Sequence, residues 1–162
     1  MEIVLDRTER RVPEDSRKNF TYFFTLDREY SRLKIDFSYS PKELRDELAS
    51  ERYIRETLRR DTPEELEKPD FDWRDYLYLK NLLTLSADFE GIYRGCHHCH
   101  PAVQQISLGT DFATTSEGFY PGPVGPGKWR IVLSAHAVVV PCDCVIRVTG
   151  YEPGEEKEAS LC

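Results

Sequence analysis

The sequence predicts a mainly β chain, an antiparallel β-sandwich or jelly-roll-like fold that carries one charged helical insertion. Three observations predict it. Several short stretches alternate apolar and polar residues with the period of a strand, among them 20–26, 33–39, 129–133 and 146–149. Gly and Pro gather in the connections, most densely in Gly118-Phe119-Tyr120-Pro121-Gly122-Pro123-Val124-Gly125-Pro126-Gly127. Only one substantial stretch has a helical period. There is no repeating βα unit, which disfavours a parallel α/β sheet. A chain of 162 residues is the size of one domain. Residues 1–150 are expected to form it, and 151–162 to form an acidic, mobile tail.

The elements follow in chain order. Ile3-Val4-Leu5 reads as a short strand and Arg7 to Lys18, broken by Pro13, as a loop. Phe20, Tyr22, Phe24 and Leu26 share one face. Leu33, Ile35, Phe37 and Tyr39 share another, and the short polar link between the two runs predicts a hairpin. Ser40-Pro41-Lys42-Glu43 then carries the signature of a capped helix start, with Pro at the first helical position. Leu44, Leu48, Ile54 and Leu58 supply one apolar stripe, so a surface helix is predicted from Pro41 to about Leu66. The charge-dense insertion, about 41–68, is expected to cover one open end of a sheet. Thr62 repeats the cap signature. Asn81 to Ser86, Val103 to Leu108, Trp129 to Leu133 and Ile146 to Val148 complete the strands.

Composition excludes several roles. The net charge of −7 lacks the basic surface that phosphate backbones demand, so no nucleic-acid partner is expected. No apolar run approaches the ~20 residues that span a bilayer, and no membrane association is expected. The first residues, Met1-Glu2-Ile3-Val4-Leu5-Asp6, have neither the basic nor the apolar region of a secretory signal. The expected compartment is the cytoplasm.

The second half contains specific motifs. Asn81-Leu82-Leu83-Thr84-Leu85-Ser86, Phe89-Glu90-Gly91-Ile92-Tyr93-Arg94-Gly95, Ile106-Ser107-Leu108-Gly109, Gly118-Phe119-Tyr120-Pro121-Gly122-Pro123 and Gly127-Lys128-Trp129-Arg130-Ile131-Val132-Leu133 follow in order. Together they resemble the N-terminal β-rich domain of CehA/McbA-type metallohydrolases, over residues 20–149 and most closely over 81–133. The resemblance implies a non-catalytic accessory module, which in that family precedes a PHP-type catalytic domain; here such a domain would be a partner in trans. The family's catalytic domain opens with Gly-Asp-Leu-His-x-His. Cys96-His97-His98-Cys99-His100 imitates that opening without its Asp-Leu pair, and only His136 follows it. A hydrolytic metal site needs more ligands than that. No phosphoester hydrolysis is expected of this chain.

The five cysteines are an odd number and do not form a disulfide framework. Cys96 and Cys99 make a C-x-x-C turn, and Cys142 and Cys144 a C-x-C whose side chains share a strand face. Four thiolates from two segments would make a closed structural zinc site. Buried or free thiols, or a disulfide, are the alternatives, because Cys142 and Cys144 lie on the same face as Ile146 and Val148. A small metal-dependent enzyme built on the Cys/His cluster is a further alternative. Tyr120 and Trp129, with Phe119, flank the Pro/Gly loop. On a jelly roll such aromatics could bind a carbohydrate-like ligand by stacking, or simply cap the end of the core. Ser134-Ala135-His136 has no evident carboxylate partner in sequence.

Overall fold

The computed structural model describes residues 1–98 and 101–154. Among these described residues eight strands form two four-stranded antiparallel sheets: β1 (Glu2–Arg11), β2 (Lys18–Leu26), β3 (Arg32–Ser40), β4 (Leu82–Phe89), β5 (Ile92–Cys96), β6 (Val103–Gly109), β7 (Gly127–Ala137) and β8 (Cys142–Tyr151). The first sheet runs β1-β8-β3-β6 and the second β2-β7-β4-β5. The inward residues of both belong to one hydrophobic cluster. Leu33, Ile35, Phe37, Ile106, Leu108, Ile146 and Val148 come from the first sheet. Phe24, Leu83, Leu85, Trp129, Ile131 and Leu133 come from the second. Alternation of buried with exposed or half-buried positions along Tyr22–Leu26 of β2 and Trp129–Ala135 of β7 is what the period of 2 requires of strands with one wet face.

Three expectations fail here, each through long-range pairing. The first is the hairpin. β2 pairs with β7, whereas β3 pairs with β6 and β8 in the other sheet. The link between them crosses from sheet to sheet. Tyr30 N–H donates to Val124 O at 2.8 Å and Ser31 N–H to Tyr151 O at 2.8 Å. Secondly, the expected loop from Arg7 is strand as far as Arg11. β1 lies at a sheet edge, so its outer face is charged rather than apolar, and Asp6 and Arg10 sit opposite Arg147 and Asp143 of β8. The third is the helix, which begins at Glu47 and not at Pro41. α1 (Glu47–Asp61) is capped by the Asp46 carboxylate, which accepts from Ala49 N–H at 2.8 Å.

The start is displaced because residues 41–44 are held extended against 79–81. Asn81 Nδ2 donates to Pro41 O at 2.9 Å, Asn81 N–H to Lys42 O at 2.8 Å, and Leu44 N–H to Leu79 O at 3.0 Å. Glu43 and Lys80 form a bridge there. The expected stripe breaks as well. Leu48 is 81% exposed, and Ser50 and Ile54 are the buried residues of α1. Thr62 does stand at the start of a helical turn, the 3-10 helix Pro63–Glu67, without a side-chain cap. Leu44, Ile54 and Trp73 of the insertion, and Val139 of the corner between β7 and β8, are buried outside the inter-sheet cluster.

Candidate functional site

The motif-bearing half converges on β5 and the Pro/Gly loop after it. Opposite Ala87 and Asp88 of β4 stand Gly95 and Tyr93, so Arg94 is the extra residue of a bulge. Its guanidinium turns under the loop. Nε donates to Tyr120 O at 2.9 Å, Nη1 to Pro123 O at 2.9 Å, and Nη2 to Gly109 O at 3.2 Å and Gly122 O at 3.3 Å. Arg94 is buried, packs 5.3 Å from the centre of the Trp129 ring, and is lowered in pKa by burial. Its fork of donors is therefore spent on four backbone carbonyls. Gly95 lies at φ 116°, and a Cβ there would stand 2.3 Å from Gly118 O, so the close approach of the loop needs glycine.

Trp129 is fully buried. Its ring stacks on Phe89 with centroids 4.7 Å apart and on Phe24 at 6.2 Å. It offers a ligand no open face, so of the two expected stacking residues Trp129 is a core residue. Its strand register on the face of Ile131 and Leu133 is the reason. Phe119 is buried in the same cluster. Tyr120 is 61% exposed, and its N–H donates to Arg94 O at 2.8 Å. Tyr93, next to Arg94, is 51% exposed. Two exposed tyrosines thus flank this contact where a tyrosine and a tryptophan were expected. The Tyr93 phenol is pushed up to about 12, first by its hydrogen bond with Cys96 and then by burial.

The cysteines separate into two sets. Cys142 and Cys144 are buried, face the inter-sheet core from β8, and are not disulfide-bonded. The hydrogen bond that the Cys144 thiol donates to Cys142, and then burial, push Cys144 well up. Cys96 stands opposite Ser86, which lies between the inward Leu85 and Ala87 and therefore on the outer face of the other sheet. The pleat thus puts Cys96 and the Cys142–Cys144 pair on opposite sides of a sheet. The three do not converge on one ion as the four-thiolate arrangement requires. Cys99 lies outside the described residues. Among the described residues no group of three or more His, Cys, Asp or Glu side chains is placed to hold a metal. Cys96 Sγ instead meets His98, at 3.0 Å from Nε2 and 3.7 Å from Nδ1. His97 points elsewhere, its Nδ1 2.8 Å from Gln104 Oε1.

Sequence reasoning passed over a cleft of about 460 Å³ at the insertion end, lined by His136 with Glu14, Arg17, Glu56, Arg60 and Asp61. His136 Nε2 is 2.8 Å from Thr84 Oγ1. Its acids and cations come from segments distant in the chain, so no local pattern signals it. No helix among the described residues is long and apolar enough to cross a membrane. No protein-family model matches the chain, and no curated protein is significantly similar to it. Neither comparison links the chain to the CehA/McbA-type module.

Proposed function

We propose that the chain is a jelly-roll-like β-sandwich that serves as an accessory or binding module beside a PHP-type metallohydrolase domain supplied in trans, without catalysis of its own. The sandwich reading is supported by the strand orders 1-8-3-6 and 2-7-4-5, in which successive strands mostly alternate between sheets. One observation carries the functional reading. The residues that make the motif recognisable are occupied in building the fold: Arg94 holds four loop carbonyls, Gly95 admits the loop, and Trp129 fills the core. A motif spent in this way marks a scaffold, and function then belongs to what the scaffold presents.

The reading is tested with the purified chain, generic phosphomonoesters and phosphodiesters, and added manganese or zinc. The expected result is no turnover above buffer. Turnover that disappears on His98→Ala overturns the proposal.

A second reading, a carbohydrate-like ligand held by stacking, is favoured by the exposure of Tyr120 and Tyr93 on either side of the Arg94 contact. It predicts glycan binding that is lost on Tyr120→Ala.

A further inference from the structure

We infer that the free edge of β1 is a self-association surface: β1 pairs antiparallel with β1 of a second copy of this chain about a two-fold axis at Thr8, and the sheet β1-β8-β3-β6 runs on through that axis.

Three observations carry it. The first is an open edge. β1 is an outer strand of its sheet, and Asp6, Arg7, Thr8 and Arg10 are exposed. The ladder decides which residues turn their backbone to that edge. Tyr39 N–H donates to Ala102 O at 2.9 Å, so the odd-numbered residues of β3 bond β6 and the even-numbered ones bond β8. Asp36 and Ser38 therefore bond Arg147 and Val145, which leaves Ile146 and Cys144 of β8 to bond Arg7 and Glu9. Asp6, Thr8 and Arg10 are left with N–H and C=O turned to the free edge. Among the described residues no strand pairs with them there. The carbonyls of Asp6 and Arg10 accept instead from the guanidinium of the next residue, Arg7 at 3.0 Å and Arg11 at 3.3 Å.

The second is charge. Charges on an edge strand ordinarily keep other strands away, but these complement themselves. In an antiparallel ladder edge-directed residues stand opposite edge-directed residues. The two-fold axis of a strand paired with its own copy therefore passes through a residue and not between two. Centred on Asp6, Arg7, Glu9 or Arg10, the ladder sets that residue against its own copy, like charge on like, which destabilises. Centred on Thr8, it sets Asp6 against Arg10 and Arg7 against Glu9, so every charge from 6 to 10 faces its opposite. The pairing also extends an alternation already present. Asp36, Arg147 and Asp6 alternate in sign across β3, β8 and β1, and Arg10 and Asp143 of the second copy continue it.

The third is length. The register shifts between Ile3 and Leu5, and the strand ends at Arg11. The regular segment from Leu5 to Arg11 has Thr8 at its midpoint, so one residue centres both the charges and the usable edge. The occupant that fits is a second copy, not an unrelated strand.

Sedimentation equilibrium of the full chain, from micromolar to millimolar concentration, tests this. The expected result is a rise with concentration from the 18.9 kDa of one chain to twice that mass, weakened by salt. Asp6→Lys and Arg10→Glu each set like charges opposite one another at two symmetric positions, so each alone should weaken the dimer by about tenfold or more. Mixed in equal amounts, the two variants set opposite charges at both positions, and the dimer should return as a heterodimer. A wild-type chain that stays monomeric overturns the inference. So does a dimer that survives either substitution, or a mixture of the variants that stays monomeric. A second measurement needs no variant. With rising concentration the amides of Asp6, Thr8 and Arg10 should gain protection from exchange, whereas those of Arg7 and Glu9, already bonded to β8, should be protected throughout. Protection of Thr8 at every dilution overturns the inference in favour of an occupant from residues 155–162 of the same chain. Protection that grows with concentration at another edge, and not at Thr8, overturns it in favour of a different interface. Association is read here without any hydrolysis, so this result and the phosphoester assay can fail independently.

Discussion

Arg94 is a buried cation without a carboxylate partner among the described residues. Four carbonyls share the stabilisation of its charge, and the Trp129 ring adds its face. Lysine carries the charge but not the planar fork, so it cannot satisfy acceptors spread over Gly109, Tyr120, Gly122 and Pro123. Arg94→Lys should cost about 2–4 kcal/mol, since it leaves a buried ammonium with too few acceptors and the loop carbonyls without a donor. The loss is read from the urea midpoint. Amide exchange should accelerate first in 118–126, before the sheets open. An unchanged midpoint would remove Arg94 as the organiser of the loop. The residue itself was visible in the sequence, inside a quoted motif, but its role was not. A lone arginine between Tyr93 and Gly95 has no local pattern that says which carbonyls it will meet. Trp129 is the opposite case. Its alternation with Ile131 and Leu133 already placed it on the inward face, and that period decided its fate over the neighbouring Pro/Gly loop.

At the scale of elements, the insertion is docked by a polar residue more than by its helix. Asn81 is fully buried and its amide makes four bonds. Nδ2 donates to Pro41 O and Val140 O, and Oδ1 accepts from Val139 N–H at 2.7 Å and Val140 N–H at 3.2 Å. It ties the entry to the insertion, its exit and the β7–β8 corner together. Asn81→Ala should cost about 3–4 kcal/mol, because buried donors and acceptors lose their partners at once. Exchange should rise most in 41–45 and 138–141. Equal loss across all eight strands would show instead that the insertion and the sheets unfold as one unit. This element-level anchoring explains why the sequence misplaced the helix start. Ser40-Pro41-Lys42-Glu43 is a sound local signal, but pairing with 79–81 outcompetes it, and the cap moves to Asp46. Strands with one clean apolar face, β2, β3 and β7, were legible. β1 was only partly so because its edge position leaves little apolar face to repeat. Neighbours in sequence were read as neighbours in the ladder, and the jump of β2 and β3 to different sheets breaks that assumption.

At the scale of the whole molecule, the inter-sheet core encloses acids that are neutral at pH 7, and this gives stability a definite pH dependence. Burial pushes the phenols of Tyr22 and Tyr39 up to about 12 from an ordinary 10.0. The Tyr22 hydroxyl also donates to Glu9 Oε2 at 2.9 Å, and Tyr39 donates to Asn81 O at 3.2 Å. For each group the folded chain holds its proton more tightly than the unfolded chain. Above the unfolded pKa, then, the folded state binds more protons, and the unfolding free energy falls as pH rises. The contribution of the two tyrosines is fully present below pH 10 and is lost progressively between pH 10 and 12, as their unfolded and then their folded values are passed. A shift of about two units is worth on the order of 2–3 kcal/mol per tyrosine. Urea midpoints at pH 8, 9, 10 and 11 should therefore decline with growing slope. Tyr39→Phe separates this cause from general alkaline repulsion. At pH 8 the variant lacks the bonds of the hydroxyl to Asn81 O and from Lys42 Nζ and should be about 1–2 kcal/mol less stable. Above pH 10 it has no phenol to ionise at that position, so its stability should fall more gently and the gap to wild type should close. Parallel curves for the two proteins from pH 8 to 11 would refute the assignment of the alkaline loss to the buried Tyr39 hydroxyl.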